Sequence, residues 1–225
     1  MNRMPIIAGV VGVTLGVTGY LTWQSTSTSQ PGISLGALQA NAQESSQVDT
    51  SSVQEMMLGN PGAEVTVVEY ASFTCPHCKS FHQNVLPQLK ANYVDSGKVR
   101  FVYREVYFDR YGLWAGMVAR CGGGDRYFPI AEMIYDQQSE WTAGGDPATI
   151  AGNLRRIGLT AGLAPETVDA CMQDADKAQA MFAVWQQNSE EDNVTSTPSF
   201  VINGETYSNM SYSQFTEILD TALGE

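Results

Sequence analysis

The sequence predicts an α/β protein in which a body of strands and helices is interrupted by an all-helical block. Three observations carry this. Residues 64–73 and 98–103 are short runs rich in β-branched and apolar side chains, the composition of strands. Residues 111–192 change to apolar side chains at helical spacing, punctuated by glycines and prolines. Residues 199–208 then return to strand character around Asn203-Gly204, a pair suited to a two-residue hairpin turn.

The elements follow in chain order. Arg3 precedes an apolar run from Ile6 to Leu21, after which the chain becomes rich in Ser, Thr and Gln. A run of roughly 16 residues suits the apolar region of an export signal and falls slightly short of a full membrane span. Ala40-Asn41-Ala42 has the small-x-small form of a cleavage site but stands well beyond that run. Residues 1–23 are therefore read as a signal sequence or, equally, a retained membrane anchor. A buried helix opening a cytosolic protein fits poorly, because residues 24–52 have the composition of a polar linker. Either reading exports the body to an oxidising compartment, where disulfides persist.

The folded body is expected to start near Val53. The run at 64–73 (EVTVVEYASF) suits a buried central strand. After it Cys78, Phe81, Val85, Leu89 and Tyr93 recur at helical spacing, with a kink expected at Pro87 and a stop at Gly97. Residues 98–103 (KVRFVY) alternate and form the second strand. Breaks in the helical block fall at Gly122-Gly123-Gly124, at Gly144-Gly145-Asp146-Pro147 and near Pro165. In the closing helix Phe215, Ile218, Leu219 and Ala222 share one face, after Ser211 and Gln214 at capping-box spacing. Residues 53–110 and 193–225 are thus two parts of one α/β domain, with 111–192 inserted between them.

With 225 residues, 43% of them hydrophobic, the chain buries a sizeable core without needing a disulfide staple. A formal net charge of −12 argues against nucleic acid or anionic lipid as a surface partner.

Four cysteines allow three pairings, and spacing separates a local pair, Cys75 and Cys78, from the isolated Cys121 and Cys171. Cys75 falls at the junction of strand and helix, where unpaired backbone N–H groups and the helix dipole favour a thiolate. Pro76 suits the first helical position because the N–H it lacks would be unpaired there. His77 can donate to the sulfur or place positive charge beside it. Cys78, one turn in, is expected to be more buried and to resolve. Stabilising the Cys75 thiolate stabilises the reduced dithiol and makes the disulfide more oxidising. Half a zinc site is the main competing reading, but only His77 and His82 remain as histidines and no second Cys-x-x-Cys exists. A purely structural bond is the other, in an unusual place for one.

Glu69 stands six residues before Cys75 in an otherwise apolar strand. A buried carboxyl there would have a raised pKa and could exchange a proton with Cys78; an outward-facing strand glutamate is the alternative. His82, with the methionines and aromatics of the first helix, is read as a packing or surface group.

The segments LGNPGAEVTVVEYASFTCPHC and, over a hundred residues later, TSTPSFVINGE resemble the DsbA family of bacterial thiol-disulfide oxidoreductases. The resemblance runs from Met56 to the end, and the helical block matches that family's insertion. It implies a thioredoxin-like fold with an inserted all-helical domain, no metal or organic cofactor, and a periplasmic location. It implies that Cys75, Pro76, His77 and Cys78 form the redox centre, with an acid at the position of Glu69. It implies a cis Thr197–Pro198 peptide facing the cysteines, with Thr197 pairing to substrate backbone. By sequence alone a trans bond would be the default. It implies reduced exported proteins as substrates and a membrane quinone-coupled reoxidant of the DsbB type. A structural disulfide between Cys121 and Cys171, the economical reading in an oxidising compartment, resembles a second bond of some α-proteobacterial members; two free buried thiols are the alternative. The rival functions are a disulfide reductase or isomerase kept reduced by a donor, and a non-catalytic binding module or holdase.

Overall fold

A computed structural model describes residues 48–225; the expected leader and most of the expected linker lie outside the described residues. Five strands form one sheet in the order β1-β3-β2-β4-β5: β1 Met56–Leu58, β2 Val65–Ala71, β3 Val99–Glu105, β4 Ser199–Ile202 and β5 Glu205–Ser208. β2 and β3 run parallel, Val65 opposite Val99 through Ala71 opposite Glu105; the other neighbours are antiparallel. β1, only three residues long with no alternation to read, has no counterpart in the sequence prediction.

A parallel pair needs a crossover, and here it is the segment after the cysteines. Helix α1 spans Pro76–Asn84 and a short α2 spans Leu86–Leu89, followed by a wide π turn at Lys90–Val94. The break lies where Pro87, lacking an N–H, cannot bond the carbonyl one turn back. Gly97, at φ +80°, adopts the left-handed conformation that ends the segment before β3.

Alternation along β2 assigns its side chains to two faces. Val65, Val67 and Ala71 join the main core with Phe81, Leu89, Phe200 and Phe215, whereas Val68 and Tyr70 join a smaller cluster with Val102 and Val201. Glu69 shares the face of Val67 and Ala71, so the pleat itself turns its carboxyl inward.

The helical block comprises α3 Arg110–Arg120, α4 Gly124–Asp136, α5 Gln138–Trp141, α6 Pro147–Thr160, α7 Pro165–Gln173 and α8 Ala175–Glu191. Asp109 and Asp146 cap α3 and α6 by accepting from backbone N–H groups, and α3 lies against α4, α6, α7 and α8. The hairpin turn has Asn203 at φ +47° and Gly204 at φ +90°, the positive pair that an Asn-Gly turn requires. The closing helix α9, Tyr212–Ala222, carries the expected Ser211/Gln214 capping box and buries Phe215 and Leu219. No described helix is long and apolar enough to cross a membrane.

Candidate active site

Cys75 is the N-cap of α1, in extended conformation with φ −82° and ψ 121°, and Pro76 stands in the first turn. Both cysteines carry free thiols; Cys75 is half-buried and Cys78 fully buried. Cys75 is held down at about 5, from an ordinary 9.0, first by a hydrogen bond from the Cys78 thiol. A hydrogen bond from the Thr197 side chain and the backbone N–H groups of Cys78 and His77 add to this, against desolvation. Cys78 is pushed far the other way, first by burial, then by its bond to Cys75 and by the charges of Glu69 and Cys75. His77 is exposed, and it supports the thiolate through its main-chain N–H.

The residues just before β4 supply the opposite wall. The Thr197–Pro198 peptide bond is cis, Pro198 is buried, and the Thr197 carbonyl oxygen lies 3.5 Å from Cys75 Sγ, within reach of its thiol hydrogen. Beneath the cysteines lies Glu69, with no exposure at all. Burial raises its pKa, and the neighbouring His82 works against that rise. His82 Nε2 is 2.8 Å from Glu69 Oε2, while Oε1 has no hydrogen-bond partner. His82 is thus neither a plain packing group nor a surface group, as the sequence reading had it; it is the partner of the buried acid. The i, i+4 step from Cys78 to His82 on α1 could have shown that both face the sheet.

The helical block reaches the site at two places. Tyr135 of α4 stacks on the His82 ring, centroids 4.2 Å apart, and its hydroxyl meets that of Tyr103 at 2.6 Å. Gln138, buried at the start of α5, donates to the carbonyls of Phe73 at 2.8 Å and Cys75 at 3.0 Å. It satisfies two main-chain acceptors in the loop leading into α1. On the other side Thr74 donates to Asp109 Oδ2 at 2.8 Å, tying the same loop to the cap of α3. Gln138 and Asp109 carry no sequence signal of a site role, because their contacts span 63–65 and 35 residues.

Cys121 and Cys171 lie within the helical block and are bonded to each other, closing a separation of 50 residues. Among the described residues no cluster of three or more His, Cys, Asp or Glu is placed to hold a metal.

Two neighbouring thiols of opposite acidity, at the end of a central strand of a thioredoxin-like sheet, can exchange with a disulfide: one attacks or is attacked, the other resolves. Fold and site together define the thiol-disulfide exchange class. Residues 51–221 match the family described as Thioredoxin. A Rickettsia bellii protein named "Putative protein-disulfide oxidoreductase" is 31% identical over 202 residues, 87% of this chain and 77% of that one. A Rickettsia typhi protein of the same description is 32% identical over 75% of this chain, but the match spans only 62% of its own length. Among solved structures, Wolbachia pipientis alpha-DsbA1 superposes with a TM-score of 0.69 at 25% identity, covering 76% of this chain and 92% of that one. The chain belongs to the DsbA-like protein-disulfide oxidoreductases of the thioredoxin family.

Proposed function

We propose that this protein is an exported thiol oxidase that passes the Cys75–Cys78 disulfide to reduced proteins in the periplasm. The observation that carries this reading is the opposed acidity of the two thiols: Cys75 at about 5 is a thiolate at neutral pH, while Cys78 is a buried thiol. A dithiol stabilised in this way makes its disulfide a strong oxidant, because reduction releases free energy in the enzyme.

In the forward reaction a substrate thiolate attacks Cys75 Sγ, the Cys75–Cys78 bond breaks, and its electron pair leaves on Cys78. A second substrate thiolate then attacks the substrate sulfur, releasing the Cys75 thiolate and a substrate disulfide. Thr197, whose carbonyl already lies beside Cys75 Sγ, is the main chain that an extended substrate segment would pair with. Recognition through backbone suits substrates of unrelated sequence. The reduced enzyme then passes two electrons to a membrane quinone-coupled reoxidant of the DsbB type. Residues 1–23 serve as the export signal or tether, and the Cys121–Cys171 bond is structural. The test is the equilibrium of the purified protein with glutathione. An oxidase should have a potential more oxidising than about −200 mV; a value near −270 mV would instead make it a reductase.

A further inference from the structure

The departing Cys78 thiolate needs a proton in a place that water does not reach. Glu69 is the acid whose charge acts on it, yet Glu69 is itself fully buried and must be recharged from solvent after each donation. Its contact with the outside is His82. This side chain is bonded to Glu69 Oε2 on one side, is 8% exposed, and lines a largely apolar cleft of about 670 Å³ between α1, α2 and α4. The cleft lies between Leu86, Pro87, Phe128 and Glu132, on a flank of α1 to which none of Cys75, Thr197 and Pro198 contributes.

We propose that His82 is a positioning residue for the exchange reaction: it holds Glu69 and carries protons between Glu69 and solvent in the cleft. The inference rests on the oxidase reading above. When substrate thiolate attacks Cys75, the electron pair of the broken S–S bond goes to Cys78, and Glu69 gives its carboxyl proton to that sulfur. The Glu69 carboxylate takes a proton from His82, and His82 takes one from water in the cleft. One proton enters from solvent, and no further oxidant or reductant is needed. An imidazole suits this because it offers two ring nitrogens, one for Glu69 and one for water.

The groups around the pair are consistent with a single route. Cys75 and Cys78 face it from α1 and Tyr103 from β3, while Tyr135 covers the His82 ring from α4. The hydroxyls of Tyr103 and Tyr135 bond each other and the carbonyls of Ala71 and Ser72, and burial keeps both protonated. Lys90, Glu132 and Asp136 line the cleft.

The test uses two variants of the full exported protein and single-turnover oxidation of a dithiol peptide. His82→Gln keeps an N–H donor toward Glu69 but cannot pass a proton; His82→Ala opens the position to the cleft. Both should slow the reaction by about a hundredfold or more, the range of a lost proton-transfer group. Added imidazole should restore the His82→Ala rate saturably, with substituted imidazoles ranked by basicity, and leave wild type unchanged. If His82→Gln reacts at the wild-type rate, or folded His82→Ala is not rescued, the relay is wrong; if His82→Ala does not fold, the His82→Gln rate decides. Wild-type protein that does not oxidise the peptide would overturn the oxidase reading instead.

Discussion

The two cysteine pairs occupy opposite ends of helices. Cys75 caps the N-terminus of α1, where free N–H groups point at its sulfur. Cys121 is the C-cap residue of α3 and Cys171 lies in the last turn of α7, so both stand among carbonyl groups. Cys121 Sγ lies 3.2 Å from the Met117 carbonyl oxygen. A helix N-terminus stabilises a thiolate and a C-terminus destabilises one. The same residue type is therefore prepared to react in one region and to stay bonded in the other. The loops differ as well: one pair closes a single helical turn, the other a span of 50 residues.

The largest effect that would break this comparison is on rate. Cys75→Ser should reduce peptide oxidation to the uncatalysed background, while Cys171→Ser should leave it within a few-fold of wild type. Stopped-flow oxidation of a dithiol peptide measures both. Comparable losses in the two variants would mean that the pairs are not divided as described.

A second measurement concerns pH and sharpens the electrostatic half of the contrast. Cys75 titrates only in the reduced protein, and its folded value of about 5 lies below its ordinary 9.0. A depressed value means stability that is present above the unfolded pKa and is lost as pH falls through the folded one. The reduced protein should therefore gain stability over the oxidised protein as pH rises from 5, with thiolate absorbance showing a midpoint near the same pH. Urea unfolding of both forms across this range reads the difference, and parallel curves would remove the thiolate argument.

The smallest effect belongs to the second pair. Replacing both Cys121 and Cys171 by Ala should cost roughly 2–4 kcal/mol of stability, since the bond restricts a long loop of the unfolded chain. Exchange kinetics should not change. A large loss of exchange with little loss of stability would reverse the roles assigned to the two regions.

Much of this division is written locally. The N-cap position of Cys75, the proline after it, the strand before it and the Asn203-Gly204 turn are each set by a few neighbouring residues. Short-range sterics and unpaired helix N–H groups act on the same scale, so they can be read from the chain. The family pattern around Pro198 was legible in the same way; the inward face of Glu69 was not, because both faces of β2 are apolar and alternation there marks neither as the core side. The strand order and β1 were not legible. β1 is too short to carry a period and is held by pairing with β3, more than forty residues on.

Local patterns in the chain fix where the paired thiols lie, which of them leads the helix, and that a helical block separates the two parts of the sheet. What surrounds the thiols comes from packing between distant segments. That packing brought His82 against Glu69, laid Tyr135 over that ring, set Gln138 under the carbonyls of Phe73 and Cys75, and joined Cys121 to Cys171. These partners are far apart along the chain. A buried polar atom accepts whichever partner packing brings to it, and that partner comes from another element whose position depends on the whole core.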